Sequence, residues 1–575
     1  MIPRMAQASG TKTGPRHVPP DRTRRRGREA AGLAIGIVAG LGIALGWLVS
    51  TRGHPSAPVV YSSHPPVLVH GAPGPAAGPD PAALDAQWAA YSDHASCADW
   101  AGGDGVSAIR LNSSQLAWFF SDTYLGPAGP DTGFAHLSGF LHNSVVVQTT
   151  TGSGSTFVTL TGGGACAGPG RPGDAAPVVG PPPTGSGVSA DRYWEEDGIR
   201  TGGTVVKFYQ HYLGGTVPFV PDGTVLATFG VSQLGSAGRG HQYGGVARPA
   251  VITLPSSTPP SGGSPILWGA ALLRVANTVY VYGSHSPDGQ LYLARVPASR
   301  LTEFSAWRFY AGAGAWSADQ AGARPVQPQN SGLSAPAGFS VIQAGHRYWL
   351  IQAASAVGGQ DIVGYPASAP WGPFDAAAAR VLYRDPAIGL DAAHDYRIMY
   401  EARAEPALST RDTLVISYNV NSEAVSTGCK PMSAFTNSVT LPRFAAVPMA
   451  AFGDAGVPAS SARGGVTKYP QIVARNPGQW FDGWAYKDGC PPVPALPSVH
   501  ARPEAGRVTL SWPDIGLGMR YSVSLQGPRD TPVTTAYHNS ATIKGLPPGR
   551  YLATVMPFNF KKMTGQAAEV SFTVP

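Results

Sequence analysis

Arg347-Tyr348-Trp349-Leu350-Ile351, Asp361-Ile362-Val363-Gly364-Tyr365 and Pro370-Trp371-Gly372-Pro373-Phe374 follow one another in the middle of the chain. Two short runs of β-branched and aromatic residues, separated by polar turn residues and closed by Trp-Gly-Pro, read as consecutive strands of one antiparallel sheet. Runs like the first recur at 116–120 (LAWFF), 204–209 (TVVKFY), 278–282 (TVYVY) and 414–418 (LVISY). The third continues into Gln290-Leu291-Tyr292-Leu293-Ala294-Arg295-Val296. Hardly any stretch between them sustains a helical period, so the fold class is all-β. Five such units, each about 65–90 residues long, are the sequence signature expected of a five-bladed β-propeller with long loops.

Composition narrows the partners. The chain has 575 residues, of which 43% are hydrophobic, enough for a large core, while only 13% are charged. So few charges leave hydroxyls, amides and backbone to make the surface polar, which argues against coiled coils and acidic tails. The net charge of +7 is almost all local: residues 1–29 carry eight Arg and Lys against Asp21 and Glu29. Without a basic face on the remainder, nucleic acid is not an expected partner.

The boundaries follow from composition. Residues 1–29 form a basic cytoplasmic segment, and 30–50 (AAGLAIGIVAGLGIALGWLVS) lack any charge. Twenty-one such residues are long enough for a hydrocarbon core of ~30 Å, and the preceding Arg24-Arg25-Arg26-Gly27-Arg28 places the bulk outside. The reading is a signal anchor and a single-pass membrane protein with an extracellular bulk; the alternative is a signal peptide cleaved near Pro55-Ser56-Ala57. Residues 51–82 are a Pro/Ala/Gly-rich linker, 83–492 the propeller and 493–575 a second module. Export agrees with four cysteines, Cys97, Cys166, Cys429 and Cys490, expected to pair in sequence order. No C-x-x-C spacing calls for zinc.

The second module carries alternating runs at 508–512, 521–525, 541–543 and 551–555, at the spacing of a β-sandwich. It resembles a fibronectin type III domain, and Leu546-Pro547-Pro548-Gly549-Arg550-Tyr551 resembles that family's tyrosine corner. The resemblance implies a spacer or adhesive accessory.

Chemistry is sought where acids stand at strand ends, because in a propeller the first strands converge on the axis. Asp104 lies in Gly102-Gly103-Asp104-Gly105, and Asp122 follows in Phe119-Phe120-Ser121-Asp122-Thr123. A strand, a hairpin and a returning strand would bring both carboxylates to one end of the first blade. Paired carboxyls are what glycoside hydrolysis uses, one to protonate the leaving oxygen and one to attack or to activate water. Tyr193-Trp194-Glu195-Glu196-Asp197-Gly198 adds clustered acids, which raise one another's pKa, beside aromatic faces for sugar stacking. A plain acidic turn is the bland reading of that cluster. His142, His211 and His285 occur near strand ends; no metal and no cofactor are expected. The G-x-S-x-G elbow, the Asp box and the P-loop are all absent.

The succession Gly103-Asp104-Gly105, Trp118-Phe119-Phe120-Ser121-Asp122-Thr123, Asn143-Ser144-Val145, Asp197-Gly198-Ile199, Trp268-Gly269-Ala270, Tyr400-Glu401-Ala402-Arg403 and Ser417-Tyr418-Asn419 resembles actinobacterial secreted five-bladed propellers formerly of unknown function. That family includes endo-D-arabinofuranases. The resemblance spans about residues 95–450 and implies Asp104 and Asp122 as catalytic carboxylates with Asp197 in support. It also implies a pocket lined by Asn143, Trp268 and Arg403, to which Trp194, Glu196, Tyr400 and Glu401 are added as substrate-binding residues; Glu401 stands where the family pattern suggests Asn. The expected function is an extracytoplasmic glycoside hydrolase cleaving a furanose-containing cell-wall polysaccharide, D-arabinan. The alternative is a non-catalytic carbohydrate-binding or adhesion protein of the envelope.

Overall fold

A computed structural model describes most of residues 80–464 and 495–575, apart from loops of which the longest are 129–138, 164–174, 181–190 and 423–439. The basic segment, the apolar stretch 30–50 and all four cysteines lie outside the described residues. Among the described residues no helix is long and apolar enough to cross a membrane.

Five antiparallel sheets follow one another along the chain. Their first two strands are Ser107–Arg110 with Gln115–Phe120, Arg192–Thr201 with Thr204–Leu213, Ile266–Val275 with Thr278–His285, Ser340–Ala344 with Arg347–Ala353, and Arg397–Ala404 with Thr413–Ser422. Each sheet then adds two or three further strands outward, and Gly245–Val246 joins the outer edge of the first in parallel.

The apolar clusters show how the sheets are arranged. Phe119 and Val147 of the first sheet meet Tyr209 and Ala227 of the second. Phe208 meets Trp268, Tyr282 meets Leu350, and Ile351 meets Ile416. Trp118 and Phe120 of the first sheet share a cluster with Val415 and Phe444 of the fifth. Five sheets sharing five cores in cyclic order are consistent with the blades of a propeller. Because each sheet is covered on both faces, its second strand reads as a nearly unbroken apolar run rather than an alternation; Gln115–Phe120 is buried at every position.

First strands have an inner edge with no strand beside it, so their N–H groups need other acceptors. Side chains of neighbouring sheets supply several. Asp197 Oδ2 accepts from Leu272 N at 2.7 Å, Ser340 Oγ from Ala404 N at 2.9 Å, and Glu405 Oε2 from Ala108 N at 2.9 Å.

Two helices correct the all-β expectation to mostly β. Pro81–Asp93 begins where the linker was expected to run into the first blade. Asp80 caps it and Pro81 occupies the first turn, where its missing N–H costs nothing. Its Trp88 is fully buried among Trp100, Trp118, Phe120 and Phe157. A second, shorter helix spans Val231–Ala237.

The C-terminal residues form a three-stranded sheet, His500–Glu504, Arg507–Ser511 and Ser540–Lys544, and a four-stranded sheet in the order Thr531–Ala536, Arg520–Gln526, Gly549–Phe558, Ala568–Val574. Both enclose one core that includes Val508, Trp512, Tyr521 and Val555. Tyr551 donates its hydroxyl to Pro547 O at 3.0 Å, the bond of a tyrosine corner. The sandwich sits against the fourth sheet, where Arg384 donates to Leu525 O and Thr531 O while Asp361 holds its guanidinium at 2.6 and 2.8 Å.

Candidate functional site

A small sheet, Trp100–Gly103, Thr123–Leu125 and Gly139–Leu141, places the acids of the opening hairpin. Gly103 pairs with Thr123, and Thr123 with Leu141. At the ends of these ladders Asp104 N donates to Asp122 O at 3.0 Å and Ser121 N donates to Asp104 O at 2.7 Å. Asp104, Asp122 and His142 therefore stand side by side, and His142 Nδ1 is 3.1 Å from Asp122 Oδ1. Gly105 is required for this approach. It has φ +62°, and a β-carbon there would stand 2.4 Å from Ser121 Oγ.

Other sheets supply the surroundings. Trp194 Nε1 donates to Asp122 Oδ1 at 2.8 Å from the second sheet, and Tyr400 donates its hydroxyl to Asp104 Oδ2 at 3.1 Å from the fifth. The Asp104 carboxyl also lies within hydrogen-bond reach of the Asp122 backbone N–H, and Asp122 Oδ2 has no protein hydrogen-bond partner among the described residues. Burial, then the neighbouring charges of Asp122 and Glu401, hold the Asp104 carboxyl well above the usual carboxylate range. Asn419 Nδ2 donates to Glu401 Oε2 at 2.8 Å. Burial and nearby acids push Glu401 up to about 7 against the pull of Arg403.

Beneath this group lies a fully buried ionic layer. Arg403 Nη2 donates to Glu196 Oε2 at 2.7 Å, and Lys207 is paired with Glu195, which also accepts from Ser107 Oγ at 3.0 Å. Burial outweighs Arg403 and pushes Glu196 up to about 8. The strand of Glu195 to Asp197 slips register against its neighbour between Glu195 and Gly198, and the strand of Glu401 does so between Tyr400 and Arg403. Such bulges re-aim side chains, here turning acids of both strands toward the axis.

The residues expected from sequence separate into two groups. Asp104, Asp122, Trp194, Tyr400 and Glu401 come together, with Glu196 and Arg403 directly below. Three do not join them. Asp197 has both oxygens on backbone, Leu272 N and Gly198 N, and ties the second sheet to the third. Asn143 is wholly buried and bonded to Val179 and Tyr193 backbone. Trp268 packs in the core against Trp307 and Phe309 instead of lining a pocket. The histidines do not gather: His142 is on Asp122, His211 lies between Asp191 and Asp222, and His285 is near Tyr292.

Sequence reasoning named Glu195 only within the acidic cluster and missed Lys207 and the bond from His142. Lys207 carried a usable signal, since a lysine inside the apolar run 204–209 is buried only if paired.

Residues 85–448, more than half of the chain, match the family described as a domain of unknown function, DUF5005. The chain belongs to the DUF5005 family. The family description states no activity, and no curated protein matches this DUF5005 chain. Among solved structures, a Bacteroides ovatus protein whose title offers it as a hydrolase is 19% identical, with a TM-score of 0.49 over 65% of this chain and 92% of that one. A GH43_1 enzyme from Xanthomonas citri is 14% identical, with a TM-score of 0.30 over 64% and 93%. The same enzyme complexed with xylotriose is 13% identical, with a TM-score of 0.31 over 63% and 92%. Likenesses this distant carry no argument about the chemistry of the DUF5005 chain.

Proposed function

We propose that this chain is a membrane-anchored, extracytoplasmic five-bladed propeller glycoside hydrolase that cleaves furanosidic linkages of a cell-wall polysaccharide, D-arabinan, at Asp104 and Asp122. The observation that carries the reading is the side-by-side placement of these two acids, each held by an aromatic donor, Tyr400 on Asp104 and Trp194 on Asp122. Asp104, kept protonated by burial and like charge, is the proton donor to the leaving oxygen. Asp122, fixed by the indole N–H of Trp194 and by His142, is the second carboxylate that attacks the anomeric carbon or activates water. Glu401 lies close enough to influence Asp104 electrostatically and is the third acid of the site. Asp197 has no place in this chemistry.

The test is incubation of the full-length chain in detergent with arabinogalactan, arabinan and fructan, with products separated by chromatography. Arabino-oligosaccharides should appear with wild type and disappear with Asp104→Asn and with Asp122→Asn, while circular dichroism stays unchanged. Release by either variant at the wild-type rate would refute the assignment. Glycan binding without any cleavage by wild type would favour the adhesion reading.

A further inference from the structure

A cavity of 1040 Å³ is lined by none of Asp104, Asp122 or Glu401. It opens at the other end of the first strands, past the ionic layer, and four arginines line it: Arg110, Arg200, Arg274 and Arg403. Two carboxylates reach the same space, and both are engaged. Asp197 is bound to two backbone N–H groups, and Glu405 to Ala108 N and Ser417 Oγ.

Arg110 and Arg200 both line this cavity and have only neutral hydrogen-bond partners. Arg200 Nη1 donates to the carbonyls of Arg110 and Leu111, and its Nε to Gly202 O at 2.8 Å. Arg110 Nη2 donates to Ala407 O, and its Nε has no partner. Neither guanidinium forms an ion pair with a carboxylate among the described residues. Deeper in, Arg403 is nearly fully buried, and its Nε and Nη1 lack hydrogen-bond partners although Nη1 is 3.8 Å from Glu195 Oε1. Four arginines against two engaged carboxylates leave an excess of positive charge in the lining, which low-dielectric walls focus on whatever enters.

We propose that this end of the axial cavity binds a small solute carrying a phosphate or carboxylate group, held by the guanidinium donors that the carbonyls leave over, Arg110 Nη1 and Arg200 Nη2. Hydrogen bonds between an ionised donor and an oxyanion are about twice as strong as neutral ones. The site lies apart from the hydrolase site proposed above, and its existence does not depend on that reading.

Calorimetric titration of the full-length chain in detergent with inorganic phosphate, glucuronate and neutral glucose tests it. A saturable heat is expected with phosphate or glucuronate and none with glucose, and the stronger of the two identifies the ligand as a phosphate or a uronic acid. Arg200→Gln, an exposed change, should weaken binding at least tenfold, and adding Arg110→Gln should remove it. Arg200→Lys should also weaken it, because a lysine keeps the charge and loses the carbonyl bonds that hold the remaining donor in place. The proposal falls if wild type shows no saturable heat with either anion, or if Arg200→Gln and the double variant bind as wild type does.

Discussion

Glu401 rests directly on Gly338: a β-carbon at position 338 would stand 2.3 Å from Glu401 Cγ. Both backbones are left-handed, at φ +50° and +76°. A glutamate in that region carries strain of about 1–3 kcal/mol, which persists only where the surroundings enforce it. Here they do, through the register slip after Tyr400, the bond from Asn419 and the space left at residue 338. Gly338→Ala should therefore push Glu401 aside. Displacements of this size cost reaction rate on the order of 100-fold, so arabinan hydrolysis should fall that far in stopped assays. Unchanged turnover would show that the position of Glu401 is unimportant.

Glu405 ties the fifth sheet to the first through Ala108 N and Ser417 Oγ, and burial pushes its carboxyl from the usual 4.5 up to about 8. A carboxyl whose pKa is raised in the folded state holds its proton more tightly there than in the unfolded chain. Its stabilising contribution is complete below about pH 4.5 and is lost as the pH rises toward 8. Glu196 follows the same sign over the same window. The melting temperature should decline between about pH 4.5 and pH 8, and Glu405→Gln should flatten the decline in calorimetric scans. A steeper slope in that variant would contradict the argument.

Lys207 is completely buried beside Glu195, with Ser107 Oγ and Glu196 O as its other acceptors. Removing one member of such a pair strands the other charge, at a cost of about 3–5 kcal/mol. Lys207→Met alone should lower stability by that order in urea melts. Lys207→Met with Glu195→Gln should recover most of the loss, because the double change removes the charge with its partner. A double variant no more stable than the single one would mean that Lys207 acts by packing.

What could be read in the sequence divides along physical lines. The five runs that suggested blades are all second strands, covered on both faces and therefore written as unbroken apolar stretches. First strands were far less visible: Ser107–Arg110 and Arg192–Thr201 mix buried apolar residues with Glu195, Glu196 and Asp197, whose partners come from distant sheets. Asp104 and Asp122 were recoverable because glycine and strand-end context is local. Asp197 shared that local context, yet both its oxygens serve backbone, which only the neighbouring sheet determines. Trp268, expected from the resemblance to line the pocket, lies in the core instead. The helix Pro81–Asp93 was hidden by its alanines, although Asp80-Pro81 and the spacing of Leu84 and Trp88 were a usable start signal.

That helix leads to the last prediction, because it joins the two ends of the ring. Asp85 accepts from Phe444 N of the fifth sheet at 3.2 Å and faces Arg443, while Trp88 enters the aromatic cluster of the first. Trp100, whose ring centroid is 4.8 Å from that of Trp88, begins the strand that ends at Gly103 and delivers Asp104 to the site. Trp88→Ala should cost about 3–5 kcal/mol, the range for emptying a large aromatic site. The loss should appear as a lower unfolding temperature together with reduced arabinan turnover below that temperature, as Trp100 shifts into the space. Trp88→Phe keeps much of the volume and should lose less of both. If Trp88→Ala lowered stability yet left turnover intact, the helix would act on ring closure alone and not on the placement of Asp104.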